Sequence, residues 1–150
     1  MFSKTTLAVL ALVGSSVAQF CPEALRFGSL ASVSPDPIVL GQEVTFTANF
    51  TCAIELGYAP VYVDYTLVVP AANNTGYQPP IYFGRRDGPS SGIDTFTVTF
   101  DPTYSPFTTY PDAQYEVILT STYAADSDSY GSTLVSGYTT YGVSLTQASD

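Results

Sequence analysis

Histidine is absent from this chain of 150 residues, and its lysine, Lys4, lies within the first few positions. Any chemistry must therefore come from carboxylates, arginines, tyrosine hydroxyls and two cysteines. Ser-His-Asp and Cys-His nucleophile systems need an imidazole base, zinc enzymes need histidine or several thiolates, and Schiff-base chemistry needs a lysine. What is left is a pair of carboxylates, the minimum for glycoside hydrolysis. Asp64 and Glu116 fall on strand-like stretches and are the candidates. An acidic surface offers such pairs by chance, however, and the chain reads as a non-enzyme with no catalytic, cofactor-binding or metal-binding residue to name.

Four further constellations carry a chemical reading beside a plainer one. Arg85-Arg86 has the form of an anion site or of a dibasic processing site, but glycine and proline flank it in Gly84-Arg85-Arg86-Asp87-Gly88-Pro89, so a solvated turn is expected. Asp126-Ser127-Asp128-Ser129-Tyr130-Gly131 begins like a calcium loop. The match fails at its twelfth position, where Gly137 stands in place of a bidentate glutamate, and a polar hairpin turn is expected instead. Of the twelve tyrosines, Tyr65 and Tyr115 alternate with core positions. Tyr62, Tyr77, Tyr82, Tyr104, Tyr110, Tyr138 and Tyr141 could instead make an exposed face that stacks on sugar rings or meets a protein. The cysteines, Cys21 and Cys52, are expected to form one disulfide, worth roughly 3 to 4 kcal/mol for a closed segment of about thirty residues.

These residues ride on strands. From Val44 the apolar positions fall on every second residue (Val44, Phe46, Ala48, Phe50, Cys52), with Thr45, Thr47, Asn49 and Thr51 between them, the period of a half-buried strand. Asn49 opens a glycosylation sequon on the polar face of that strand, and Asn73 opens a second in the turn-rich segment 71–80. A short edge strand is expected over 25–33, broken by Ser34-Pro35-Asp36-Pro37. A second strong strand runs from Val61 to Val69, assigned to the sheet opposite the first. Further strands are read at 81–83, at 95–100, from Tyr115, and over 133–146 with a bend at Gly137 or Gly142. No stretch keeps a helical period. The order Pro111-Asp112-Ala113-Gln114-Tyr115-Glu116-Val117 resembles the tyrosine corner of immunoglobulin-like domains, with Val117 where an antibody domain has its second cysteine.

Residues 1–18 have the layout of a secretory signal peptide: Lys4, an apolar run over 7–13, and small residues at Ser16-Val17-Ala18. The expected product is a single β-sandwich domain over 19–150, secreted and extracellular, with no membrane anchor because no later stretch approaches the roughly 20 apolar residues of a spanning helix. Beyond Gln19, thirteen carboxylates stand against three arginines, which disfavours nucleic acid and anionic membranes as partners. About seven short strands separated by turn signals give the fold class: all-β, an antiparallel immunoglobulin-like β-sandwich, with a jelly roll or small barrel as the alternative.

Several phrases extend this reading: Ala18-Gln19-Phe20-Cys21 after the leader, the Val33-Ser34-Pro35 turn, TFTANFTC, VYVDYTLVVP and YQPPIYFGRRD. Together they resemble a group of small secreted proteins of basidiomycete fungi, a likeness that covers essentially the whole chain. The resemblance implies an effector-like glycoprotein that influences growth, development or the response to aromatic compounds and plant material. It brings no catalytic residues and no cofactor. Through its Ser-Pro-Asp-Pro and Gly-Gln turn the chain is also similar to ML-type lipid-recognition sandwiches, which implies a carrier of a small apolar ligand. A carbohydrate-binding module built on exposed tyrosines is the third expectation, and a protein or cell-surface partner the first.

Overall fold

The computed structural model describes residues 20–75, 78–127 and 131–147. The signal-peptide reading, Gln19, Tyr77 and the central part of the calcium-like run, 128–130, lie outside them. Among the described residues, nine strands form three sheets. In chain order they are β1 (Ser29–Ser34), β2 (Ile38–Val39), β3 (Glu43–Asn49), β4 (Pro60–Val68), β5 (Ile81–Asp87), β6 (Ile93–Thr99), β7 (Tyr115–Ser127), β8 (Gly131–Val143) and β9 (Leu145–Thr146). One sheet has the order β1-β3-β6, a second β5-β4-β7-β8, and β2 pairs in parallel with β9. The assignment of the two strongest strands, β3 and β4, to separate sheets holds.

Alternation explains which face each strand buries. Val44, Phe46 and Ala48 of β3, Val63, Tyr65 and Leu67 of β4, and Tyr115, Val117 and Leu119 of β7 all enter one core. Rings fill the space where the inner faces meet. Phe46 lies 5.1 Å from Phe83, Tyr65 lies 4.6 Å from Phe96, and Phe83 lies 5.3 Å from Phe100, all centroid to centroid. Tilted and edge-on ring pairs of this kind add about 0.5–1.5 kcal/mol each beyond the area they bury.

The long alternating stretch that begins at Val44 does not continue as a strand to Cys52. Asn49 Oδ1 accepts the Thr51 N–H at 2.8 Å, a local turn that takes the backbone out of the ladder, and one helical turn, α1 (Thr51–Glu55), follows. Cys52 stays buried because it lies on the inward side of that turn, where it bonds Cys21 across 5.2 Å between Cα atoms. The first edge strand starts later than the periodicity suggests. Glu23–Leu25 forms a single 3-10 turn, and Gly28, at φ 81°, redirects the chain where any side chain would overlap the Phe50 ring. The last long strand, β8, passes through Gly137 and Gly142 in unbroken register with β7, so neither glycine interrupts the pairing, and the break falls at Ser144.

Tyr115 confirms the corner motif. Its hydroxyl is shared between the carbonyl oxygens of Pro106 at 2.9 Å and Tyr110 at 3.0 Å, fastening the turn α2 (Ser105–Thr109) to the start of β7. Burial pushes the phenol up to about 12. Replacing Tyr115 by Phe keeps the ring and deletes the bond, and should lower unfolding free energy by about 1–2 kcal/mol in urea titrations. An unchanged urea midpoint would show that the bond contributes nothing.

Candidate functional site

Arg85 and Arg86 are adjacent in sequence and point to opposite faces of the same sheet. They belong to strand β5, not to a turn, which corrects the solvated-turn expectation. The reason is a bulge. Tyr82 pairs with Thr66 and Gly84 with Tyr65, so Phe83 is an extra residue that drops into the core and shifts the alternation of β5 by one. Tyr82 and Arg85 consequently share the outer face with Asp64 and Tyr62 of β4, while Arg86 turns inward.

The outer group is tightly built. Arg85 donates to both Asp64 oxygens, from Nε at 2.8 Å and from the terminal guanidinium nitrogen at 2.9 Å. The Tyr82 hydroxyl donates to Asp64 Oδ1 at 2.8 Å. The guanidinium carbon lies 4.2 Å from the centroid of the Tyr62 ring, a cation–π contact. The bond from Arg85, with help from Tyr82, holds the Asp64 carboxyl below the usual aspartate range, and Asp64 in turn raises both Arg85 and the Tyr82 phenol. Two oxygens receiving three donors make a poor proton donor. Glu116 does not complete a catalytic pair with it. It stands opposite Val68, four residues along β4 from Asp64, or roughly 13 Å at strand spacing, beyond the separation glycoside hydrolysis uses.

The inner group went unnoticed in the sequence. Asp94, the second residue of β6, is 6% exposed and accepts from the Tyr65 hydroxyl at 2.9 Å and from Arg86 Nε at 2.7 Å. Tyr65 is on β4, Arg86 on β5 and Asp94 on β6, so one carboxylate links the two larger sheets. Burial first, then Asp94, drives the Tyr65 phenol far above its ordinary value. The signal was present: Asp94 is two residues before Phe96 and in phase with Val98 and Phe100, which places it on the inward face.

The remaining candidates are scattered. Tyr65 and Tyr115 are core residues as expected, and Tyr82 (58%) and Tyr138 (66%) are the most exposed of the outward tyrosines. Across the sheet, Tyr138 faces Thr120, Thr120 faces Asp64, and Asp64 faces Arg85, so polar residues separate the two rings. Tyr110 is half-buried and bonds Thr75 at 2.9 Å; Tyr104, at the other end of the same turn α2, packs beside Phe107. Asn73 is exposed in a turn, whereas Asn49 is half-buried in β3 between β1 and β6 with its carbonyl oxygen engaged. β7 and β8 pair out to Ser127 and Gly131, which both belong to the run that begins like a calcium loop.

Glu55 lies 2.9 Å from Cys21 Sγ, but both sulfurs are spent on the disulfide and offer no thiolate to a metal. An open hollow of about 380 Å³ lies at the rim between residues 111–114 and 144–145, away from the ring-filled space between the sheets. No helix among the described residues is long and apolar enough to cross a membrane.

The two carboxylates should respond differently to mutation. Asp94→Ala leaves a buried phenol and an arginine without their partner and should cost about 3–5 kcal/mol, whereas Asp64→Ala, at a solvent-facing pair, should cost several-fold less. A depressed folded pKa contributes stability above the unfolded value that is lost as pH falls through the folded one. Wild type should therefore lose more stability than Asp64→Asn between neutral pH and the acid side of the carboxylate range. Parallel pH profiles from chemical denaturation would rule this out. Comparisons with family models, with curated proteins and with solved structures find no match to this chain.

Proposed function

We propose that this chain is a secreted, effector-like recognition protein without catalytic activity, which meets a protein or cell-surface partner through the outer face of its four-stranded sheet. The observation that carries the reading is the assembly of Asp64, Arg85, Tyr82 and Tyr62. Tyr82 and Arg85 are exposed and Asp64 and Tyr62 half-buried, and the side chains are held by three hydrogen bonds and a ring contact, so little side-chain freedom is lost when a partner docks. Tyrosine and arginine are also the residue types that dominate binding energy at interfaces.

The finer fold reading supports this role. Strand orders β1-β3-β6 and β5-β4-β7-β8, the parallel β2–β9 contact and the Tyr115 hydroxyl bond fit an immunoglobulin-like sandwich, a scaffold widely used for recognition. The likeness to small secreted proteins of mushroom-forming fungi points to a role in growth, development or the response to aromatic compounds and plant material. Carbohydrate is the second reading, favoured by the exposed rings of Tyr82 and Tyr138. The polar residues between those rings make a protein partner the better fit.

Fluorescently labelled protein should bind saturably to mycelium of a mushroom-forming fungus. The double variant Tyr82→Ala with Tyr138→Ala should bind at least about ten-fold more weakly while keeping the wild-type circular dichroism. Loss of binding on adding soluble wall glucan would select the carbohydrate reading. Absence of saturable binding, or binding indifferent to both substitutions, would refute a role for this face.

A further inference from the structure

The long outer strand β8 (Gly131–Val143) is a sheet edge with no strand hydrogen-bonded to it on its outer side, although β1 of the other sheet comes alongside part of it. It pairs with β7 on one side and ends the four-stranded sheet on the other. Edge strands normally carry charges, proline, a bulge or a short length that blocks further pairing. β8 has none of these: thirteen residues, no charged residue, no proline and no register shift against β7. Of the nine large hydrophobic residues exposed among the described residues, Leu134, Val135, Tyr138 and Tyr141 are all on this one strand. The opposite edge of the same sheet, β5, carries Arg85, Arg86 and Asp87.

We propose that β8 is a dimer interface on which a second copy of this chain pairs, antiparallel, to make one continuous eight-stranded sheet. Three observations select a second copy as the occupant. First, the chain carries a net charge of −9, so two copies repel wherever their acidic residues approach, and β8 is a long strand free of charge along which they can meet.

Second, the free stretch has a defined extent. Beyond Val143 the backbone is already occupied by β2, with Ile38 N–H donating to the Ser144 carbonyl and Leu40 N–H to that of Thr146. The open strand therefore spans Gly131 to Val143, and its midpoint is Gly137.

Third, the sequence is complementary to itself about that midpoint. A twofold axis normal to a sheet keeps each side chain on its own face, so paired positions must have the same parity. Centring the axis on Gly137 satisfies this and places Tyr138 opposite Ser136, Tyr141 opposite Thr133, Leu134 opposite Thr140, and Val135 opposite Thr139. Each of the four exposed large side chains then meets a small hydroxyl residue, Val143 meets Gly131, and at the axis glycine meets glycine. Gly137 is already constrained on its inner side, where any side chain would overlap the Phe27 ring. Paired over its length, the strand spans roughly 44 Å and forms about a dozen interchain backbone hydrogen bonds.

Sedimentation equilibrium on the purified protein should show a monomer–dimer equilibrium that tightens as salt rises, because screening removes the acidic repulsion and leaves the neutral strand pairing intact. Ser136→Glu puts a charge on each copy beside the axis and should weaken the dimer at least about ten-fold, with an unchanged circular dichroism spectrum. Thr97→Glu, on the edge strand of the other sheet, should leave the dimer as it is. A wild-type protein that stays monomeric at high micromolar concentration in high salt would overturn the proposal. So would a Ser136→Glu dimer as tight as wild type, or a dimer lost in Thr97→Glu.

Discussion

A single carboxylate between the two larger sheets organises this molecule. Asp94 accepts from Tyr65 of one sheet and from Arg86 at that sheet's edge, while its own backbone belongs to the other sheet. A negative charge in an apolar interior is costly unless each lone pair is met, and here a phenol and a guanidinium meet them. Apolar packing resists separation of two layers but is tolerant of sliding. A buried charge with two fixed donors is not, so Asp94 sets the lateral alignment of the sheets while the rings of Phe46, Phe83, Phe96 and Phe100 supply the bulk of the contact.

That alignment is what gives the outer face its rigidity. β5 has one arginine anchored inward on Asp94 and the next anchored outward on Asp64, so the edge strand is fastened on both faces. The outward ion pair is half in water and contributes little to stability in itself. Its effect is geometric: Tyr62, Arg85 and Tyr82 are held in one arrangement against a sheet that cannot shift beneath them.

Much of this was legible in the sequence, and most of the failures share one cause. Alternation identified β3, β4, β6 and β7 and placed Tyr65 and Tyr115 inside, because each is a property of uninterrupted period-two chain, while the residue order from Pro111 to Val117 pointed to the corner turn. What it missed begins wherever one residue changes the phase. The extra residue Phe83 hides the strand that holds Arg85 and Arg86, since glycine on one side and Gly-Pro on the other look like a turn until the partner strand is known. Asn49 ends β3 with a side-chain bond that apolar spacing cannot show. Asp94 was overlooked for the opposite reason: its phase was correct, and only its charge argued against an inward position.

The three arginines are all committed: Arg26 to Glu23, Arg85 to Asp64 and Arg86 to Asp94. A protease that cuts after basic residues therefore meets just three target bonds among the described residues. Two lie inside a hydrogen-bonded strand whose side chains are clasped, and the third leads into Phe27, packed against Tyr58 and Tyr123. Cleavage at the two strand bonds has to wait for local opening, so there the rate among trypsin-like enzymes is governed by how often β5 peels from β4, not by access to its surface.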